Sequence, residues 1–273
     1  MTTVVTHTHA PRRPFAKYRA LAVIAARQAI NERVSLVMRL CIYALILFVF
    51  SRLWETVLGQ GALGNLAARD MVWYLAATEW VLFAVPMIHL DIEAMIRSGD
   101  VAYRLPRPMS FLLAALAEGA GQVAVRLLLF GLAGFGLSWL LAGGLPSSPD
   151  GLALMIPFGV LSAALCLLMQ AAIGVAAVWL GDVSPVYWLW QKLTFIFGGL
   201  LLPFEVYPDW LRTVAEWTPF YPMFYGVGRM TFGLDWEIAA RTALQLALWG
   251  AATAALTVWF YRRALRALNI SGG

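Results

Sequence analysis

The chain has 273 residues, 61% of them hydrophobic and 13% charged, with a formal net charge of +5. Soluble domains average about 45–50% apolar and about 25% charged. The apolar excess is too large for one water-soluble core, so composition excludes an ordinary soluble domain and points to a polytopic membrane protein. The positive charge also argues against a nucleic-acid binder by its placement. Arg12, Arg13, Lys17, Arg19, Arg27 and Arg33 face Glu32 alone, so one juxtamembrane segment carries a charge equal to the whole excess. That pattern suits an anionic cytoplasmic leaflet and places the N-terminal segment inside.

Met1–Pro14 has no apolar run and no small-residue cleavage site, so no signal peptide is expected and 1–14 reads as a disordered cytoplasmic tail. Phe15–Asn31 carries Phe15, Tyr18, Leu21, Ala22 and Ala25 at helical spacing beside basic residues. It reads as an interfacial helix leading into the membrane. A first span is expected over Val34–Val57, with Arg39 near its inner edge placed to snorkel. Gly59, Gly61 and Gly64 mark an outer turn. A second span, Asp70–Leu90, returns to the cytoplasm, with Pro86 positioned to kink it.

A charged connector follows, Asp91–Ser110 (DIEAMIRSGDVAYRLPRPMS). Asp91 suits an N-cap, Glu93 the first turn and Arg97 the last turn of a short helix, with Gly99 as its stop. Ile92, Met95 and Ile96 give that helix an apolar face, and Pro106 and Pro108 stiffen its exit. Its residues allow two roles: docking a partner, or lying flat on lipid. The third span begins at Ser110 and runs to about Leu141. Spans four, Gly151–Leu180, and five, Val186–Leu202, follow, joined by the tight turn Gly181–Pro185. Pro203–Glu237 contains four prolines and many aromatics, so it reads as an outer segment lying on the membrane or dipping into it. Within it Asp209–Trp217 is an amphipathic helix with Leu211, Val214 and Ala215 expected towards lipid. Glu205, Pro208, Trp210, Trp217 and Pro219 are its marker residues. A sixth span covers Ile238–Tyr261.

The expected fold is therefore all-α. Six transmembrane helices, an N-terminal interfacial helix, a cytoplasmic connector helix and an outer interfacial or re-entrant segment form one membrane domain over 15–264, with a cytoplasmic tail at 265–273. Predicted inner segments hold twelve Lys and Arg against five in outer ones, which places both termini inside. Cys41 and Cys166 fall within spans, so no disulfide is expected. The three histidines have no metal-ligand spacing. No GxxxxGK[ST], HExxH, GxSxG or CxxC motif occurs, so ATP hydrolysis by this chain is not expected and an enzyme is disfavoured.

Two stretches resemble a known family. IRSGDVAYRLPRPMS is similar to the first cytoplasmic loop of type 2 ABC exporter permeases. LLPFEVYPDWLRTVAEWTPFYP (201–222) resembles that class's outer segment after its fifth span, and YRRALRALNISGG the basic tail of its small members. The resemblance implies a bacterial inner-membrane permease subunit. It would pair with an identical or homologous permease and with two ATP-binding subunits, which would hold ATP and magnesium. It also implies a coupling helix formed by Ile92, Glu93, Met95, Ile96, Arg97, Ser98, Gly99 and Asp100, seated in the ATPase.

Glu79, Arg126 and Gln170 lie roughly 10–15 Å inside the expected inner edge at 1.5 Å per residue. Intramembrane ions are costly and are usually paired or face a cavity. Glu79 and Arg126 either form a buried pair or snorkelling ends that fix helix packing, or face each other or a substrate path at the centre of a dimer. A stand-alone secondary transporter or channel using Glu79 and Arg126 is the main alternative, and a lipid-acting membrane enzyme a third.

Overall fold

The computed structural model describes residues 15–59, 67–104 and 109–271. The expected tail over 1–14, Gly61 and Gly64, and the proline-stiffened exit at 105–108 lie outside these residues. All regular structure among the described residues is helical. Among the described residues, five helical stretches are long and apolar enough to cross a membrane: Arg33–Leu58, Ala68–Arg97, Phe111–Ala142, Pro149–Leu180 and Trp236–Ala267.

The chain begins with α1 (Ala16–Asn31), which turns at Glu32 into α2 (Arg33–Gly59). Next comes α3 (Ala68–Ala84), then a break at Val85–Met87, then α4 (Ile88–Arg97) and α5 (Asp100–Arg104). The long α6 (Phe111–Ala142) has a hydrogen-bonded cap, with Ser110 Oγ accepting from the Leu113 N–H. It ends on Gly143, whose φ of 69° is the left-handed geometry that closes helices. α7 (Leu152–Val175) and α8 (Ala177–Leu180) are separated by one residue, and α9 (Ser184–Phe197) follows a turn. After α9 come α10 (Asp209–Glu216), a π-helical turn at Tyr221–Tyr225, α11 (Gly226–Arg229) and α12 (Trp236–Ser271).

α3 is the axis of the bundle. Its apolar stretch is 83% buried, against 22% for α2 and 17% for α12. Between lipid-facing helices there is no water to expel, so close packing and internal hydrogen bonds decide the arrangement. α3 supplies both. Trp80 Nε1 donates to the Leu127 carbonyl on α6 at 2.7 Å, Trp73 Nε1 donates to the Gly144 carbonyl at 3.1 Å, and the Ala76 carbonyl accepts from Tyr43 Oη on α2 at 2.8 Å.

α1 packs along α6, with Ala25 and Ala29 buried, so protein covers one side of it. The Tyr18 hydroxyl accepts the Ser110 N–H at 3.0 Å there. The segment expected as a tail, 265–273, is helical as far as Ser271 and continues α12.

The fifth expected span, Val186–Leu202, contains only the 14-residue α9. At 1.5 Å per residue that is about 21 Å, short of the ~30 Å hydrocarbon layer. The chain unwinds at Gly198-Gly199, where Gly199 has a φ of 61°. Carbonyls freed there are caught by α3: Tyr74 Oη donates to Gly199 O, and Thr78 Oγ1 donates to Leu200 O at 3.0 Å. Irregular backbone at membrane depth requires such protein partners.

Candidate functional site

The connector helix is built differently from its sequence signals. Pro86 has no N–H, and Val85 ahead of it is extended (φ −81°, ψ 125°), so α3 stops there. The next helix starts at Ile88, not after Asp91. Met87 occupies the cap position without a side-chain hydrogen bond, and Asp91 falls in the first turn. Packing outweighs the cap preference here. Ile88 and His89 are buried, and Gly174 of α7 brings its backbone against His89 and Ile92; a Cβ there would sit 2.8 Å from Ile92 Cβ.

Ile92 is fully buried, and Met95 and Ile96 are half-buried against the core, so the apolar face of α4 points into the bundle. Glu93 is also buried, and its carboxylate is held by Arg97 Nη1 at 3.0 Å, one turn on. Leu90, Asp91, Ala94, Arg97, Ser98, Gly99 and Asp100 remain exposed. Gly99 has a φ of 77° and ends the helix as its position predicts. The turn between α8 and α9 lies beside this face. Leu90, Glu93, Ala94, Arg97, Asp182 and Ser184 line an open groove of about 420 Å3. The Ser184 N–H donates to Asp182 Oδ1 at 2.9 Å, and hydrogen bonds from Ser184 hold that carboxyl below the usual carboxylate range.

The three intramembrane polar residues are not brought together. Arg126 on α6 is 5% exposed, and its ion-pair partner is Glu32, at the α1–α2 junction, with Nη2 to Oε2 3.9 Å. Its Nε and Nη1 are buried and have no hydrogen-bond partner. Arg39 and Asp91 are the other charges within electrostatic reach of Arg126. Glu79 is buried in α3 near Tyr43 and makes no ion pair with Arg126. Gln170 on α7 is fixed by His89, with Oε1 to Nδ1 3.0 Å, and His89 stacks on Tyr187 with centroids 3.9 Å apart.

Next to this Gln170–His89–Tyr187 set is a cavity of about 160 Å3, open on one side. It is lined by Leu82 and Phe83 of α3, Val85 and Met87 of the break, Cys166 and Gln170 of α7, Arg39 of α2, and Tyr187, Trp190 and Gln191 of α9. Sequence reasoning read Arg39 as a snorkelling edge residue and did not single out Tyr187, Trp190 or Asp182. No motif marks them; the α3–α4 break and the short α9 create the space.

At the opposite end of the bundle, α10 spans Asp209–Glu216 with Pro208 ahead of it. Its expected lipid face is divided. Ala215 is fully buried among Trp54, Tyr74 and Phe204, and Leu211 is half-buried, whereas Trp210, Val214 and Trp217 are exposed. The reason is an anchor on the other flank. Glu216 accepts from Arg241 Nη2 at 2.7 Å and from Arg212 Nε at 3.3 Å, and its carbonyl accepts from Gln245 at 3.0 Å. Glu205 accepts from Tyr225 Oη at 2.8 Å and pairs with Arg229 at 3.6 Å; Pro219 is half-buried. Phe220–Gly228 is entirely buried, so the chain after α10 re-enters the bundle beside α3 and α7. The chain matches no protein-family model, and a search of curated proteins finds no match to it.

Proposed function

We propose that this chain is the permease subunit of an ATP-binding-cassette exporter of the type 2 class, moving a solute or lipid outward. ATP would be hydrolysed by separate partner subunits, and a second permease, identical or homologous, would complete the pore. In this reading the short α9, continued through 198–202, makes a sixth crossing, and 203–235 is an outer re-entrant segment. Both chain ends then face the cytoplasm of a bacterial inner membrane.

The observation that carries the reading is the construction of α4. It is a short helix rooted in the bundle through Ile88, His89 and Ile92, following the break after the buried axis helix, with one face left exposed. A push on that face reaches α3 directly through the Val85–Met87 break. The ATPase contact is therefore assigned to the exposed side, Leu90, Ala94, Arg97, Ser98 and Asp100, with Asp182 across the groove. Ile92, Met95 and Ile96 hold the helix to the bundle.

The test is purification of the tagged chain from its native membranes. An ATP-binding subunit should co-elute with it and be lost in Arg97→Glu and Ala94→Asp, while Met87→Ala, outside that groove, retains it. A wild-type chain that elutes with no ATP-binding subunit and transports on a proton gradient alone would support the secondary-transporter reading instead. Turnover of a lipid by the purified chain would support the enzyme.

A further inference from the structure

The cavity between α2 and α9 has one charged lining residue, Arg39. Arg39 is half-buried and, among the described residues, makes no ion pair or hydrogen bond to the protein. Arg126 nearby already has Glu32, and Asp91 lies within its reach. A cation held inside a membrane helix is costly, and such residues pair with other polar groups or face a cavity that marks a ligand path. The remaining lining is aromatic and aliphatic, with two amides, Gln170 and Gln191, as the other polar side chains besides the Tyr187 hydroxyl and the Trp190 indole.

We infer that this cavity binds a single-chain anionic amphiphile, with its acid group at Arg39 and the adjoining part of its chain against Phe83, Tyr187 and Trp190. Size selects an amphiphile over an enclosed solute. Sites that enclose a whole drug-sized ligand run to about 300–1,000 Å3, and this one holds about 160 Å3. It accommodates one end of a molecule, and its opening leaves room for the rest of a chain to extend out of it. The shared chemistry is a carboxylate or phosphate on an apolar body. The exposed apolar surfaces of α2 and α9 beside it favour a membrane lipid over a water-soluble aromatic acid. The inference does not depend on the exporter reading, because binding requires neither nucleotide nor partner.

The test measures binding of tritiated oleate to the full chain in nanodiscs of neutral lipid. Saturable binding near one per chain is expected. It should weaken at least tenfold in Arg39→Gln, stay within about threefold in Arg39→Lys, and be unaffected in Arg33→Gln. Lysophosphatidate should compete; monoolein, which has the chain without the charge, and naphthoate, which has the charge without the chain, should not. A second readout keeps Arg39 intact. In a chain carrying Cys41→Ser, Cys166→Ser and Met87→Cys, which puts the thiol at an exposed lining position, oleate should slow alkylation of position 87 by N-ethylmaleimide, and monoolein should not. Oleate binding unchanged in Arg39→Gln, competition by monoolein, or failure of oleate to protect position 87 would overturn the inference. Naphthoate binding as tightly as oleate would overturn the lipid as source.

Discussion

At Gly121 a single hydrogen atom lets α1 lie on α6. A Cβ at that position would overlap the Ala22 carbonyl, and backbone cannot rotate out of the way. Gly136, on the same helix, has nothing within 4 Å. Replacing an interior helical glycine by alanine gains up to about 1 kcal/mol of helix propensity, whereas overpacking costs about 1–3 kcal/mol. Gly136→Ala should therefore leave the Tm of the purified chain unchanged or slightly raised, and Gly121→Ala should lower it by several degrees. Equal Tm values for the two would mean that α1 is not seated where it stands. Residue-scale signals in the sequence were legible where they are local. Gly99 stops a helix because only the backbone at that point must turn left-handed. Arg126 was legible as a buried charge needing a partner, but its partner was not. Depth alone favoured Glu79, and the fold delivers Glu32, which comes close only because α1 crosses α6.

Elements were legible where apolar length sets them and misplaced where two forces compete. The connector has a good N-cap in Asp91, yet the helix begins four residues earlier than that cap implies, at Ile88, because Ile88 and His89 find packing partners. A cap is worth roughly 1 kcal/mol, while burying one large apolar side chain contributes about 1.5–3 kcal/mol. The same competition turns α10. Its amphipathic pattern is real, but Glu216 fixes its roll by reaching Arg241 on α12, so Ala215 faces protein. Exposed ion pairs contribute about 0.2–1 kcal/mol each, and Glu216 makes two, with its own side chain mostly buried. Glu216→Ala should thus loosen α10 by about 1–2 kcal/mol, which corresponds to roughly 5–30-fold faster amide exchange across 209–217. Exchange in α3 should not change. Unaltered exchange across 209–217 would show that Ala215 packing alone seats the helix.

The whole molecule is a buried axis, α3, wrapped on one side by α1, α2 and α6 and on the other by α7 and the re-entering chain at 220–232. α2, α9 and α12 carry the outward apolar surface. That all-helical, membrane-embedded character was legible from composition, since nothing else accommodates so many apolar residues. Six crossings are the sequence expectation; five stretches among the described residues are long and apolar enough to cross, and α9 falls short of that length. α9 is about 21 Å long, but Tyr74 and Thr78 satisfy the carbonyls just beyond it, so its chain has no need to turn back. Ser184 stands beside α4, and Glu216, beyond α9, is bound to Arg241 near the start of α12. The proposed sixth crossing runs along the path between them. Single cysteines at Ser98, Ser184, Ser147 and Thr213, in a chain lacking Cys41 and Cys166, test this with a membrane-impermeant maleimide on intact cells. Positions 147 and 213 should be labelled from outside, and positions 98 and 184 only after the membrane is opened. Ser147 and Asp70 are tied at 2.7 Å, so position 147 reports the end of the bundle where α3 begins. Labelling of 184 and 213 from the same side would show that α9 does not cross. Labelling of 98 from outside would invert the orientation and remove α4 from any cytoplasmic partner.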